Sequence, residues 1–198
     1  MEHLFQASSF NEDIGAWDTS GVTTMCGMFD WATAFDQDIS NWATNQVTSM
    51  YYMFNGATIF NGNIGNWNTA QVTTMEAMFR SASSFSNHVS QWDTSNVTGM
   101  VGMFFGAASF NQPIHKWDTS NVTNMRAMFR AASSFNQPIG EWNTSNVTDM
   151  SYMFCGASSF NQKIGKWNTS NVEYMANLFG SNNSNSTSIV NVPTFYPI

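Results

Sequence analysis

Residues 142–166 read WNTSNVTDMSYMFCGASSFNQKIGK, and Trp167 then begins the same pattern again. Tryptophan recurs at this 25-residue spacing in seven copies, from Trp17 to Trp167, without an insertion. Columns of Phe, Met and Val keep the same period, so like residues occupy corresponding places in every copy. A fixed period of about 20 to 50 residues is the signature of a stacked repeat architecture. The sequence therefore predicts one solenoid domain.

The apolar positions within a unit predict a short helix. In residues 72–82 they recur three or four positions apart, which is typical of one helical face, and Thr73 and Glu76 are placed as a capping box. Residues 110–119 are instead β-branched and aromatic with a proline, which predicts a short extended segment and a turn. Because so short a unit cannot bury its own apolar face, we expect Trp to stack on Trp, Met on Met and Phe on Phe.

Two polar columns have a structural interpretation. A column of short polar side chains follows Phe and is predicted to satisfy backbone groups at a turn, namely Asn11, Asp36, Asn61, Ser86, Asn111, Asn136 and Asn161. The Thr column, from Thr19 to Thr169, is predicted to cap the turn into the helix. A regular Thr row on a flat face could alternatively order water, which leaves ice binding open.

The charge balance argues against some partners. The 198 residues carry six Lys plus Arg and thirteen Asp plus Glu, a net charge of −7, whereas binding to nucleic acid needs clustered cations. The longest nearly unbroken apolar run, residues 100–108, is shorter than the roughly 18 to 20 residues of a membrane span. Residues 1–99 hold nine acids and one base, and residues 100–198 hold four acids and five bases. We expect an electrically polarised rod, which favours contact with an oriented partner or end to end between copies.

No catalytic or metal-binding constellation is predicted. The three histidines, His3, His88 and His115, have no repeated partner at ligand spacing, so the sequence indicates no catalytic residue, no cofactor and no metal ligand. Cys26 and Cys155 lie five coils apart, which would hold them about 25 Å from each other, beyond the roughly 4 to 7 Å of a disulfide. Both thiols are expected to be free and partly exposed.

The motif Trp-(Asp/Asn)-Thr-Ser-Asn-Val-Thr-x-Met-x-x-Met-Phe resembles the repeat of the BspA-like leucine-rich-repeat surface proteins. The likeness is to the Met- and Trp-rich class of 25-residue units, and it covers about nine tenths of the chain. Together with the periodicity, it implies an α/β solenoid over residues 1–180. This is a right-handed, leucine-rich-repeat-like coil of about seven units, each a short strand plus a short helix. Residues 181–198 are predicted to be an Asn/Ser-rich linker and a C-terminal end cover.

The resemblance also implies a role. The family implies surface display, adhesion or protein recognition, with no catalytic motif to transfer, so we expect an extracellular or cell-surface module that is not an enzyme. Its partner would be a protein or a glycan, without membrane insertion of this segment. Two alternatives stay open: a structural rod that assembles end to end, and binding to ice or another regular surface through the Thr row.

Columns that vary from copy to copy are predicted to mark the outward face. One contains Tyr51 and Arg126, another contains Phe105 and Arg130, and a third lies just before Trp and contains Lys116. Aromatic and Arg side chains supply most binding hot spots. The candidate partner-binding residues are therefore Tyr51, Phe105, Arg126, Arg130 and Lys116.

Overall fold

A computed structural model describes residues 1–180, and the predicted linker and end cover at residues 181–198 lie outside the described residues. Residues 1–180 form a stack of turn-rich coils, one for each 25-residue repeat. Neighbouring coils pair in parallel through single bridged residues of one column: Thr24 with Ser49, Ser49 with Thr74, Thr74 with Gly99, Gly99 with Asn124, Asn124 with Asp149 and Asp149 with Tyr174. Successive repeats therefore lie on one another in register, as the period predicts.

The interior of the stack consists of columns of like side chains. The rings of Phe54 and Phe79 are nearly parallel with centroids 5.7 Å apart, and those of Trp92 and Trp117 have centroids 6.3 Å apart. The Met and Val columns of the middle coils are fully buried beside them. Each buried indole also donates a hydrogen bond to a backbone carbonyl, as Trp117 Nε1 does to Val89 at 3.0 Å. The predicted stacking of the aromatic columns is confirmed.

The predicted helix is wrong, because consecutive turns take its place. Every second N–H donates to a carbonyl of the next coil, as Ala77 does to Val101 at 2.8 Å. The N–H groups between them close turns within the coil, as Met78 does to Met75 at 3.2 Å. Ala77 and Ser81 have φ of 52° and 57°, so the backbone is left-handed at two points in the coil. Apolar side chains thus face inward three and four positions apart without a helix, and the α/β assignment does not hold.

The predicted strand is also wrong. Residues 110–119 hold no bridged residue, since the bridges fall only in the column of Thr24 and Gly99 within the described part of the chain. The capping box is not formed either, because Thr73 Oγ1 donates to the carbonyl of Thr48 in the preceding coil at 3.2 Å. Periodicity identified which side chains face inward but not the backbone that carries them.

The column of short polar side chains joins neighbouring coils. Asn111 Oδ1 accepts a hydrogen bond from the N–H of Asn136 at 2.9 Å, and Asn136 Oδ1 accepts one from the N–H of Asn161 at 2.9 Å. Gln137 Nε2 donates to the carbonyl of Asn111 at 2.9 Å. The predicted use of this column, to satisfy backbone groups, is confirmed.

The Thr column is buried from Thr19 to Thr144. Thr94 Oγ1, for example, donates to the carbonyl of Asp118 in the next coil at 2.8 Å. These hydroxyls link coils and do not cap a helix. Because they point into the stack, this column does not present the flat Thr face on which the ice-binding alternative depended.

The first coil is one residue shorter than the others. The N–H groups of His3, Phe5 and Ala7 donate to carbonyls 23 residues later, whereas Gly27 donates to Tyr51, 24 residues later. Trp17 is 40% exposed, while the Trp side chains of the middle coils are almost completely buried. The short first repeat therefore still stacks in register.

Across residues 1–180, no helix is long and apolar enough to cross a membrane.

Candidate functional site

A shallow groove of about 250 Å³ crosses four coils on one side of the stack, and we call it the arginine groove. Its floor is formed by Ala77, Gly102 and Ala127, at the same position of three successive coils. All three have positive φ, of 52°, 58° and 54°. The same position is Tyr52 in the preceding coil and Tyr152 in the following one. The groove therefore exists because three small residues lie between two large ones.

One wall consists of the residues directly before the floor positions, which are Tyr51, Glu76, Val101 and Arg126. The Tyr51 ring lies against Tyr52, with centroids 4.4 Å apart. Burial, followed by the neighbouring Tyr52 and Glu76, raises the pKa of Tyr51 above its ordinary value. The Tyr51 phenol is neutral at physiological pH, and Tyr52 is itself a hydrogen-bond partner of that hydroxyl.

The other wall is a column in which two arginines flank an aromatic ring. Arg80 Cζ lies 4.9 Å from the centre of the Phe105 ring, and Arg130 Cζ lies 5.3 Å from the same centre. Arg130 Cζ is also 5.3 Å from the centre of the Tyr152 ring. Attraction between a cation and a ring face holds guanidinium groups in place while leaving N–H donors free for a ligand.

The arginines of this wall and of the opposite one are the only three in the sequence. Within residues 1–180, none of the three guanidinium groups has a hydrogen-bond or ion-pair partner, and the ion pair in that range joins Lys166 to Glu141, outside the groove. Charges that residues 1–180 leave unpaired are available to an incoming group of opposite sign. The groove is thus a concentrated positive site on a chain of net charge −7.

Among residues 1–180, Glu76 is the one acidic side chain in the lining. It lies against Gly99 in the next coil, where an added Cβ would overlap Glu76 Oε1. This partial burial raises the pKa of Glu76 above its ordinary value of 4.5. Burial thus disfavours the charged form of the Glu76 carboxyl.

The structure brings together four of the five residues that the sequence proposed for binding. Tyr51, Phe105, Arg126 and Arg130 all line the arginine groove, and Lys116 lies outside the lining. Arg80 lines the groove too; it belongs to the same variable column as Phe105 and Arg130 but was not among the candidate binding residues. The floor was missed because its left-handed backbone has no sequence signal when the residue is Ala.

The outward orientation predicted for the variable columns fails in part. Asp30 and Asn55, two members of the column that contains Phe105, are buried, and Asn55 Nδ2 donates to Asp30 Oδ1 at 2.6 Å. Gln6 Nε2 donates to the other oxygen of Asp30 at 2.7 Å. Near the N-terminus this column thus links the coils, and it turns outward only from Arg80 onward.

A thiol and an imidazole approach each other at the first coils, where Cys26 Sγ is 4.0 Å from His3 Nε2. Burial, followed by the charges of Glu2 and Asp30, raises the pKa of the Cys26 thiol. A nucleophilic cysteine is favoured by the opposite shift. Cys26 and Cys155 are both free and partly exposed, as predicted.

No three His, Cys, Asp or Glu side chains lie close enough together to hold a metal ion in the described residues.

A stack of like coils with one variable side makes this chain a repeat protein. A family described as "Mycoplasma protein of unknown function, DUF285" matches residues 1–97 and, in a second overlapping match, residues 77–192. The chain belongs to this family. No curated protein matches it.

Proposed function

We propose that the chain is a non-enzymatic interaction module that binds a partner macromolecule through the arginine groove. The observation that carries the proposal is the convergence in one groove of all three arginines with Tyr51 and Phe105. Arginine and tyrosine are the side chains most enriched in binding hot spots. The residues that line the groove also differ in size and charge from coil to coil, from Gly102 to Tyr52 and from Glu76 to Arg126.

The structure of the stack supports a binding role. Its interior columns, polar ladders and buried Thr column repeat from coil to coil and serve to hold the coils together. Such a scaffold fixes its side chains on a rigid surface, which lowers the entropy lost on binding. Side chains that vary on that surface can then select a partner.

The resemblance of the units to BspA-like repeats supports a location outside the cell. Proteins of that kind are displayed at surfaces and take part in adhesion, so we extend the proposal to an extracellular or cell-surface adhesive module. Assembly of rods end to end stays a prediction.

Display selection tests the proposal. Libraries of peptides and small protein domains are selected on the wild-type chain and then measured against Ala127→Tyr, which fills the floor of the groove. Tyr52 and Tyr152 occupy the same coil position with φ of 57° and 60°, against 54° for Ala127, so the backbone accepts tyrosine there. Ser134→Tyr, at an exposed position of the same coil, is the matched control.

We expect enriched ligands that bind the wild type and Ser134→Tyr equally and lose at least about tenfold in affinity for Ala127→Tyr. Ligands that bind all three proteins alike would show that the groove is not the binding site. Failure to enrich any ligand would count against the interaction function itself.

A further inference from the structure

We infer that the arginine groove takes an extended, acidic peptide segment of a partner protein, and this inference rests on the proposed function. The proposed function says only that the groove is a binding site, and the inference states the chemistry of the partner that it binds. Three features of the groove lead to it, namely the unpaired cations, the shape of the floor and the mixed character of the walls.

The unpaired arginines favour a ligand that carries negatively charged oxygen atoms. Arg80 and Arg130 each lie about 5 Å from the centre of Phe105, so their charged groups are no more than about 10 Å apart. Carboxylates on alternate residues of an extended peptide repeat at about 7 Å, which two long arginine side chains can span. The planar guanidinium group binds a carboxylate through two parallel hydrogen bonds. Arg126 on the opposite wall offers a third such group.

The shape of the arginine groove favours a narrow, linear ligand. The floor of Ala77, Gly102 and Ala127 runs along the stack axis and is closed by Tyr52 at one end. A Cβ built on Gly102 would meet only the Cβ of Phe105, at 3.8 Å, so the middle of the floor is open. The three floor residues span two steps between coils of about 4.8 Å each, a length that matches about three residues of extended chain.

The walls favour a peptide over a uniformly anionic polymer. Phe105 and the Tyr51–Tyr52 pair offer aromatic surface for side chains, and Glu76 offers a carboxyl oxygen to the backbone N–H groups that a peptide supplies. A sulfated polysaccharide carries negative charge along its whole length and would place some of it against Glu76 in the lining. An acidic peptide presents negative groups only where the arginines lie.

Fluorescence polarisation with defined probes tests the inference. The probe is a labelled octapeptide in which Glu and Thr alternate, its control is the octapeptide in which Gln and Thr alternate, and a sulfated oligosaccharide is the competing class. The protein variants are Arg130→Gln and Ala127→Tyr. Lys163→Gln and Ser134→Tyr are controls at exposed positions outside the groove.

We expect saturable binding of the Glu–Thr peptide that weakens with ionic strength, and none of the Gln–Thr peptide. Arg130→Gln and Ala127→Tyr are expected to weaken binding at least tenfold, while Lys163→Gln and Ser134→Tyr leave it unchanged. Arg130→Lys keeps the charge but loses the planar fork, so we expect an intermediate affinity.

Absence of binding by the Glu–Thr peptide, or binding that both groove variants retain, would overturn the inference. Tighter binding of the sulfated oligosaccharide than of the peptide would assign the groove to a glycan instead. If display selection yields groove-dependent ligands that are not acidic, the inference fails while the proposed function stands. If no selected ligand depends on the groove, both fail.

Discussion

Phe104 and Phe105 are neighbours in the sequence, but Phe104 lies in the interior of the stack and Phe105 lies in the surface groove. Phe104 is fully buried and stacks with Phe79 and Phe129, whose ring centroids are 5.6 and 5.7 Å away. Phe105 lies half-buried in the arginine groove between two guanidinium groups. Phe104 has the same residue above and below it, whereas the residues above and below Phe105 are both Arg. The comparison shows that one residue type packs in the interior of the stack and also lines the groove for which we propose partner binding.

The largest difference between the two regions should be in stability. Phe104→Ala leaves a cavity in a packed column, and we expect it to lower the free energy of unfolding by about 3 to 5 kcal/mol. Phe105→Ala loses two cation–π contacts at a partly exposed site, for which we expect about 1 kcal/mol. Urea unfolding followed by circular dichroism checks both. Equal losses in the two variants would contradict the distinction between interior and groove.

Two threonines of one coil sharpen the comparison at a smaller scale. Thr94 is buried and donates to Asp118, while Thr98 is exposed and donates to Thr73 at 3.3 Å. Thr94→Val removes the donor to the Asp118 carbonyl at a buried position and should cost about 1 kcal/mol. Thr98→Val should change stability by less than about 0.5 kcal/mol, because water replaces the hydroxyl. Urea unfolding of the two variants checks this: if the dependence of the unfolding free energy on urea is the same for both, the midpoint should fall further for Thr94→Val than for Thr98→Val.

The smallest expected effect concerns the charge of Glu76. Partial burial raises its pKa above 4.5, so between that value and its higher pKa in the folded state the folded protein binds more protons than the unfolded chain. The contribution of Glu76 to stability is therefore greatest in acid and falls as the pH rises through this window. We expect Glu76→Gln to melt slightly above the wild type at pH 7.

The same pair of proteins provides the control. Below the ordinary pKa of the carboxyl both states are protonated, so the difference in melting temperature between Glu76→Gln and the wild type should shrink toward zero there. A difference that stayed constant from acid to neutral pH would show that burial of the charge is not its cause.

The sequence was sufficient to predict that the repeats stack and which columns of side chains are buried. A 25-residue period with Trp117 and Phe104 in fixed places predicted a stack and identified its buried columns, because identical neighbours make identical contacts. The backbone was not predictable in the same way. Residues such as Ala77 and Ser81 have no preference for a left-handed φ, so nothing distinguished a series of turns from a helix with the same apolar spacing.

The candidate site was predictable only as a set of side chains. Variation between copies selected Tyr51, Phe105, Arg126 and Arg130, and the structure brings all four to one groove. It could not select Ala127, whose importance is that it is small between larger residues of other coils. Nor could it show that Asp30, in the same column as Phe105, is enclosed by Gln6 and Asn55.

Ten residues other than glycine hold a positive φ in residues 1–180, among them Trp31, Tyr52 and Ala131. Each such residue costs about 1 to 2 kcal/mol in an isolated chain, and hydrogen bonds to an adjacent coil offset that cost. A coil is thus unfavourable alone and favourable against a finished neighbour, which makes each layer the template for the next. Folding is then expected to proceed from coil to coil along the stack. The number of coils can change during evolution without changes to the sequence of each coil.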